Sequence, residues 1–421
     1  MTEPSERCAS LPRGWQRDRL KDVVELRTDK TDVKSDVSDY LELEDVESWH
    51  SRILNRRNTL EVESAVTVFC AGDVLFGKLR PYLAKVCRPD FDGKCTGELL
   101  AIAPRHIDGG FLKYALIDPE IIERCTEFSY GAKMPRVNWA TQLSTFTIAF
   151  PPRSEQERIA AFLDEKCAAV DKAVETKQKQ LASIEPQWAN LLHNVTLRGI
   201  CPARLQKTTN AIIEKIPVGW KLKRLRYIGR CQNGISKDGQ YFGYGFPFVT
   251  YGDVYDQMVL PVTASGLVES TEEERSRYSV KRGDIFFTRT SETADEVGFS
   301  SVCLKTIPDA TFAGFVIRVR PVTKDLLPEF AQYYFRNPFV SQYFAKEMMV
   351  VTRASLSQDI LKSLPVVIPP HDEQEQIAQY LGERRHYFNS LAENLRKQIE
   401  ILEEYRKSLI HECVTGIRRV A

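Results

Sequence analysis

The sequence predicts two copies of a mixed α/β (α+β) globule, each followed by a long helix, with the helices forming an antiparallel coiled coil about a pseudo-twofold axis. Three observations predict it: an internal duplication, strand-like runs interleaved with helical ones in each copy, and a seven-residue apolar repeat after each of two double prolines. The duplication comes first, because a missed repeat misassigns the whole fold. LPRGWQRDRLKDV (Leu11–Val23) returns as IPVGWKLKRLRYI (Ile216–Ile228), each a P-x-G-W followed by alternating basic and apolar residues. PPRSEQERIAAFLDEK from Pro151 returns as PPHDEQEQIAQYLGER from Pro369, with Pro, Pro, Glu, Gln, Glu, Ile, Ala and Leu in register. The copies close alike, HNVTLRG from His193 and HECVTG from His411, and AGDVLFGKL from Ala71 is echoed by RGDIFFTRT from Arg282.

Within each globule the strand-like runs are AVTVF (Ala65–Phe69), DVLFG (Asp73–Gly77), STFTIAF (Ser144–Phe150), DIFFT (Asp284–Thr288) and FVIRVR (Phe315–Arg320). They are rich in β-branched and aromatic residues and are broken by Gly, Pro and Asp. A helical stretch from Pro328 to Met348 lies among them, and the alternation fits an α/β or α+β globule. After each double proline the pattern changes to helix. Ser154 and the acidic residues behind it give a start signal. Leu381, Phe388, Leu395, Leu402 and Leu409 then step by seven, while Leu163, Val170, Val174, Leu181, Ile184, Trp188 and Leu191 step by sevens, threes and fours. About 42 residues at ~1.5 Å each give a rod of roughly 63 Å, too long to bury inside a compact globule. Pro186 stands where the second copy has Glu404, so a kink or break is expected near residues 182–186. The expected divisions are 1–150 and 217–368 for the globules, 151–200 and 369–421 for the helices, and 201–216 for a linker.

Composition limits the function classes. The chain has 421 residues, 43% of them hydrophobic and 27% charged, with 58 basic against 57 acidic side chains. That suits two or three packed domains and excludes both a disordered tail and a uniformly basic nucleic-acid coat. No apolar run reaches the ~18 residues of a membrane span and the first 30 residues lack a signal peptide's apolar segment, so no membrane partner is expected. Ten cysteines without a C-x-x-C pair are not zinc-finger spacing and read as free thiols in a reducing cytoplasm.

Catalytic motifs fail on inspection. GDVLFGKL (Gly72–Leu79) matches G-x-x-x-x-G-K but puts Leu79 where a P-loop needs Ser or Thr for the metal. NPF at Asn337–Phe339 lacks the second proline of the methyltransferase N-P-P-F/Y motif, and no F-x-G-x-G cofactor loop accompanies it. The six histidines form no H-x-x-x-H or H-E-x-x-H pattern; His193 and His411 sit at equivalent helix ends, where a cation is favoured. No catalytic residue, metal or cofactor is therefore expected.

The paired PPRSEQERIAAFLDEK…VTLRG and PPHDEQEQIAQYLGER…VTG segments, with a P-x-G-W before each globule, resemble the DNA-specificity subunits of type I restriction–modification systems over nearly the full length. The resemblance implies a non-catalytic subunit with two target-recognition domains, each reading half of a split double-stranded DNA site. It further implies that the paired helices act as a spacer and dock two methyltransferase subunits, with motor-nuclease restriction subunits completing the assembly. The rival readings are a self-contained methyltransferase or nuclease, and a coiled-coil scaffold with no DNA role.

Base readers need Arg or Lys for guanine, Asn or Gln for adenine, and polar or cationic groups for phosphate. Residues 12–150 hold 20 basic against 22 acidic side chains, and 217–368 hold 19 against 16, so binding must come from local patches. Gly-flanked loops with cations and aromatics supply the candidates. In the first globule they are Lys78, Arg80 and Tyr82 of GKLRPY, then Tyr130, Lys133, Arg136 and Asn138 of SYGAKMPRVNW. In the second they are Lys237, Tyr241 and Tyr244 of SKDGQYFGYG, Arg289, Thr290 and Ser291 of TRTSE, and Thr352, Arg353 and Ser355 of VTRASLSQ.

Overall fold

The computed structural model describes residues 11–31, 39–58, 66–129, 133–291, 297–348 and 354–420. The chain forms two compact units, Met1–Gln180 with Leu395–Ala421, and Leu181–Asn394. Each long helix is shared between the two units. The first runs Arg153–Arg198 and the second His371–Val414.

The duplicated sequence builds duplicated sheets. In the first unit Val24–Leu26, Leu99–Pro104, Val74–Gly77 and Val86–Cys87 form an antiparallel four-stranded sheet in that order. In the second, Gly229–Asn233, Val316–Pro321, Ile285–Thr288 and Ser300–Val302 repeat the arrangement. The central strands Val74–Gly77 and Ile285–Thr288 are buried at every position, which explains their unbroken apolar runs where an exposed strand would alternate. An acidic residue precedes each: Asp73 is paired with Arg27 and Asp284 with Arg320. Two helices, Gly109–Ile117 and Pro119–Glu127, pack in the first unit, and Pro328–Tyr334 and Pro338–Glu347 in the second.

The motifs that revealed the duplication meet at each helix start. The strand after P-x-G-W pairs with the strand before the double proline, Gln16–Arg19 with Thr147–Phe150 and Lys221–Arg224 with Pro365–Ile368. Gln156 and Gln374 are buried; their amides donate to Pro151 and Pro369 carbonyls, and their oxygens accept from the backbone of Asp108 and Leu327. The Glu before each Gln accepts from an indole: Trp15 Nε1 to Glu155 at 3.4 Å, Trp220 Nε1 to Glu373 at 2.9 Å. Each tryptophan also covers the glycine that ends a long helix, Gly416 against Trp15 and Gly199 against Trp220.

Within each unit the two helices lie side by side and antiparallel. In the first, Lys177 reaches Gln398, Asp171 pairs with Arg406, and Leu163 and Cys167 share a core with Leu409, Ile410 and Cys413. In the second, Glu185 pairs with Arg385, Trp188 meets Phe388 edge-on at 6.1 Å, and Leu192 and Val195 share a core with Ile377 and Leu381. Of the seven-spaced residues Leu381, Leu395 and Leu409 are buried, and Phe388 and Leu402 half-buried. The break expected at Pro186 does not occur. The helix continues through it with the proline on the exposed side, where water can bond the carbonyl that loses its partner.

Candidate nucleic-acid interface

In both globules the central strand runs out into a candidate loop, and that loop pairs with the one preceding the double proline. After Val74–Gly77, the Lys78 amide donates to the Glu98 carbonyl at 3.0 Å, Leu79 bridges Arg136, and the Val137 amide returns to the Lys78 carbonyl at 3.0 Å. After Ile285–Thr288, the Arg289 amide donates to the Phe315 carbonyl at 2.9 Å, Thr290 pairs with Ser355, and the Leu356 amide returns to the Arg289 carbonyl at 2.7 Å. Lys78–Leu79 is thus joined to Arg136–Val137, and Arg289–Thr290 to Ser355–Leu356, by the same ladder. Far-apart sequence patches become one surface in each copy.

The first surface exposes Arg80, Tyr82, Lys133 and Asn138, with Lys78 half-buried. Arg80 holds a left-handed backbone, φ 51°, ahead of the short helix Pro81–Leu83, and its amide is tied to the Pro135 carbonyl at 2.7 Å. A non-glycine residue in that region costs energy, so the loop is held open by its surroundings. Arg136 is braced from within this surface. Its Nε and Nη2 donate to the Glu98 carboxylate at 3.1–3.2 Å, and that hydrogen bond keeps the guanidinium pKa raised.

The second surface draws on a further loop and strand. Arg289 and Thr290 are half-buried and Ser355 is exposed. The loop carrying Lys237 joins it through a bridge from Ile235 to Ala313 and an Ile235 amide bond to the Phe312 carbonyl at 2.8 Å. Beyond that loop the strand Phe242–Val249 pairs with Gly266–Val268 and bulges between Phe242 and Phe246. Gly243 and Gly245 take positive φ there, 96° and 94°, conformations closed to most other residues. The bulge leaves Tyr241, Phe242, Tyr244 and Phe246 exposed in one aromatic ribbon, with the Arg275 guanidinium 3.7 Å from the Phe246 ring centre. Lys237 organises it: Nζ donates to the Glu269 carbonyl at 2.7 Å and to Glu274 at 2.8 Å. The Tyr244 hydroxyl donates to Glu269 at 2.9 Å, a bond that raises its pKa. Tyr251 ties the ribbon to the ladder by donating to the Thr290 carbonyl at 2.9 Å. Tyr130, Thr352 and Arg353 lie outside the described residues, and the Ser291 side chain is not described.

Other charged groups are structural. Burial pushes the Arg318 and Arg336 guanidinium pKa values down to about 10, and Arg336 Nη2 is committed to the carbonyls of Val254, Tyr255 and Gln257. GDVLFGKL passes through a buried strand instead of looping over a helix start, which removes the P-loop reading. Asn337 of NPF is the fully buried cap of Pro338–Glu347, bonded to Thr196 and His193. Among the described residues, Asp118, Glu120 and His411 are grouped closely enough to hold a cation; Asp118 already bonds His411 Nδ1 at 2.9 Å, and the trio reads as an ion pair.

Sequence reasoning missed Phe242, Phe246 and Phe315, all exposed. The strand expected from Phe315 begins one residue later, at Val316, and leaves the phenylalanine outside it. The preceding Gly314 is the signal for a turn there.

A duplicated α/β globule with paired loops at the end of its central strand, each copy packed with antiparallel segments of two long helices, defines a protein of two like units. The family model for the type I restriction modification DNA specificity domain matches it twice, at residues 12–185 and 217–401, and the chain belongs to that family. The type I restriction enzyme EcoKI specificity subunit of Escherichia coli K12 is 23% identical over 312 residues, covering 74% of this chain and 66% of that protein. The putative MjaX specificity subunit of Methanocaldococcus jannaschii is 26% identical over 209 residues, 48% of this chain and 47% of that protein. The chain therefore spans about half to two thirds of these relatives' lengths. A chain solved in work on complex assembly and conformational transition of the type I R-M system matches with a TM-score of 0.77 at 20% identity, over 97% of this chain and 99% of that one. That match supports the fold.

Proposed function

We propose that this protein is the sequence-specificity subunit of a type I restriction–modification assembly. It binds double-stranded DNA, reads a bipartite target with one globule per half-site, and supplies no catalytic group of its own. The paired helices dock two methyltransferase subunits and set the unread gap, and motor-nuclease restriction subunits join the same assembly in the cytoplasm. The observation that carries this reading is the same loop-to-loop ladder at the end of the central strand in both copies, dressed with different side chains. Same frame and different chemistry is what two half-site readers need, because a two-stranded ribbon fits the major groove and side-chain identity sets the base preference. Family membership supports it independently. Lys78, Arg80, Tyr82, Lys133 and Arg136 on one side, and Lys237, Tyr241, Tyr244, Arg289, Thr290, Arg353 and Ser355 on the other, are the proposed contacts. The globule limits 12–150 and 217–368 are the proposed exchangeable parts.

The test is a globule exchange. Residues 217–368 are replaced by the counterpart from a related subunit, the chimera is expressed with its methyltransferase subunits, and methylated sites are mapped genome-wide. One half-site should change and the other persist. Change in both halves, or methylation without sequence preference, would refute the reading.

A further inference from the structure

The two ladders differ most at one backbone position. The residue whose carbonyl accepts the first loop amide is Glu98 in the first globule and Phe315 in the second. Strand register confirms the equivalence: the next residues, Leu99 and Val316, face Gly77 and Thr288, the last residues of the central strands. Glu98 is clamped by three bonds from Arg136. Phe315 leaves 65% of its surface exposed, and no ring or cation contact holds it among the described residues.

An exposed phenylalanine is common; one on a rigid mount is less so. The turn beneath Phe315 is clamped by two glycines. A Cβ on Gly234 would lie 2.2 Å from the carbonyl oxygens of Phe312 and Ala313, and a Cβ on Gly314 would lie 2.3 Å from Ser236 Oγ. The backbones can approach this closely only without side chains. The Val316 amide closes the turn onto the Ala313 carbonyl at 3.0 Å. The Phe315 backbone is thereby held at the root of the Arg289–Thr290–Ser355 ladder, and its exposed ring stands between the candidate loops. Holding a large apolar surface in water in a fixed place is unfavourable unless something covers it, and preorganisation lowers the entropy lost when it is covered.

Resting on the DNA-reading function proposed above, we infer that Phe315 is a specificity-determining residue of the second half-site, making apolar contact with a thymine methyl group. The ladder is a short two-stranded ribbon bearing a cation and hydroxyls, the shape and chemistry the major groove admits. The thymine methyl is the one apolar group that groove offers, and phenylalanine is among the side chains that meet it. The first globule, with an ion pair at this position, lacks the contact, so the assignment applies to one half-site only.

The experiment uses the full chain assembled with its methyltransferase subunits and selects from a random duplex library, for wild type, Phe315→Ala, Phe315→Leu and Glu98→Ala. Wild type should select a bipartite site. Phe315→Ala should lose preference at one or two adjacent positions of one half, including an A·T pair, while Phe315→Leu retains part of it and Glu98→Ala leaves that half intact. Deoxyuridine in place of the assigned thymine removes only the methyl and should weaken wild-type binding about fourfold without weakening the Phe315→Ala complex further. An unchanged Phe315→Ala profile with a bipartite wild-type site overturns the inference alone. So does a loss spread evenly over all sequences, or an affected position lacking thymine. A wild-type assembly that selects no sequence overturns the proposed function and the inference together.

Discussion

His411 and His193 occupy equivalent ends of the long helices, and each bonds the cap of a helix that begins with proline. The partners differ: Asp118 accepts from His411 at 2.9 Å, and Asn337 faces His193 at 3.2 Å. The Asp118 bond raises the His411 pKa against partial burial, with Glu120 and Glu412 adding to it. A group whose folded pKa lies above its unfolded value contributes stability that is complete below the unfolded value, near 6.5, and disappears as pH rises through the folded one. Unfolding of the first unit should therefore become easier from about pH 6.5 upward. Asp118→Asn, which copies the second unit's pairing, should flatten that part of the profile; denaturant melts at several pH values decide it. A second exchange separates the copies. Where the second unit has Trp188 against Phe388 and Tyr333, the first has Arg406 bonded to Asp171 and to the backbone of Trp49 and His50. Arg406 is 3% exposed, so Arg406→Ala leaves the Trp49 and His50 carbonyls without their donor, while Asp171 keeps His50 and Arg52, and should cost about 1–3 kcal/mol. Calorimetry should place the loss in the first unit's transition.

At the scale of elements, the long helices carry paired registers, so a length change in one alone would mismatch the other. Lys177 faces Gln398, which marks matching insertion points. Four residues added after Lys177 and four after Lys397 lengthen the pair by ~6 Å with modest rotation, close to two base pairs of B-DNA at ~3.4 Å each. On the ruler reading, methylated-site mapping should recover the same half-sites with the gap longer by about one or two base pairs. Two residues at each point rotate the rest of each helix by ~200° and take Leu402 and Leu409 off the seam that Leu381, Phe388 and Leu395 keep, which should abolish assembly. An unchanged gap in an active four-residue variant would show that the helices do not set it.

For the whole molecule, the contact between Gly199 and Trp220 has a counterpart between Gly416 and Trp15. Gly199 leads to Trp220 through continuous chain, and Trp220 covers Gly199; Trp15 covers Gly416 in the same way. Fusing Ala421 to Met1 would put Gly416 and Trp15 20 positions apart, against 21 for Gly199 and Trp220. A permuted chain joined there and opened between Pro202 and Ala203, which are exposed, should fold and retain the site preference of the parent. Loss of binding with an intact fold would mean that the order of the two copies along the chain matters to recognition.

The sequence by itself determined the duplication, the two globules, the helices and the absence of recognisable catalytic motifs. These rest on periodicity and repetition, which are local or self-similar and need no knowledge of contacts. It also marked where chain leaves a strand, since glycines beside cations do so, and the loops at Lys78 and Arg289 do follow the strands Val74–Gly77 and Ile285–Thr288. Only the tertiary structure decided which loops meet, that Arg136 and Lys237 are engaged by Glu98 and Glu274, and that Phe315 lies outside its strand. Those outcomes turn on which carbonyl and which carboxylate come within about 3 Å of residues tens of positions away, and no local pattern encodes that distance. The same holds for Pro186: a proline forbids one hydrogen bond locally, but only the surrounding packing decided that the helix would continue through it.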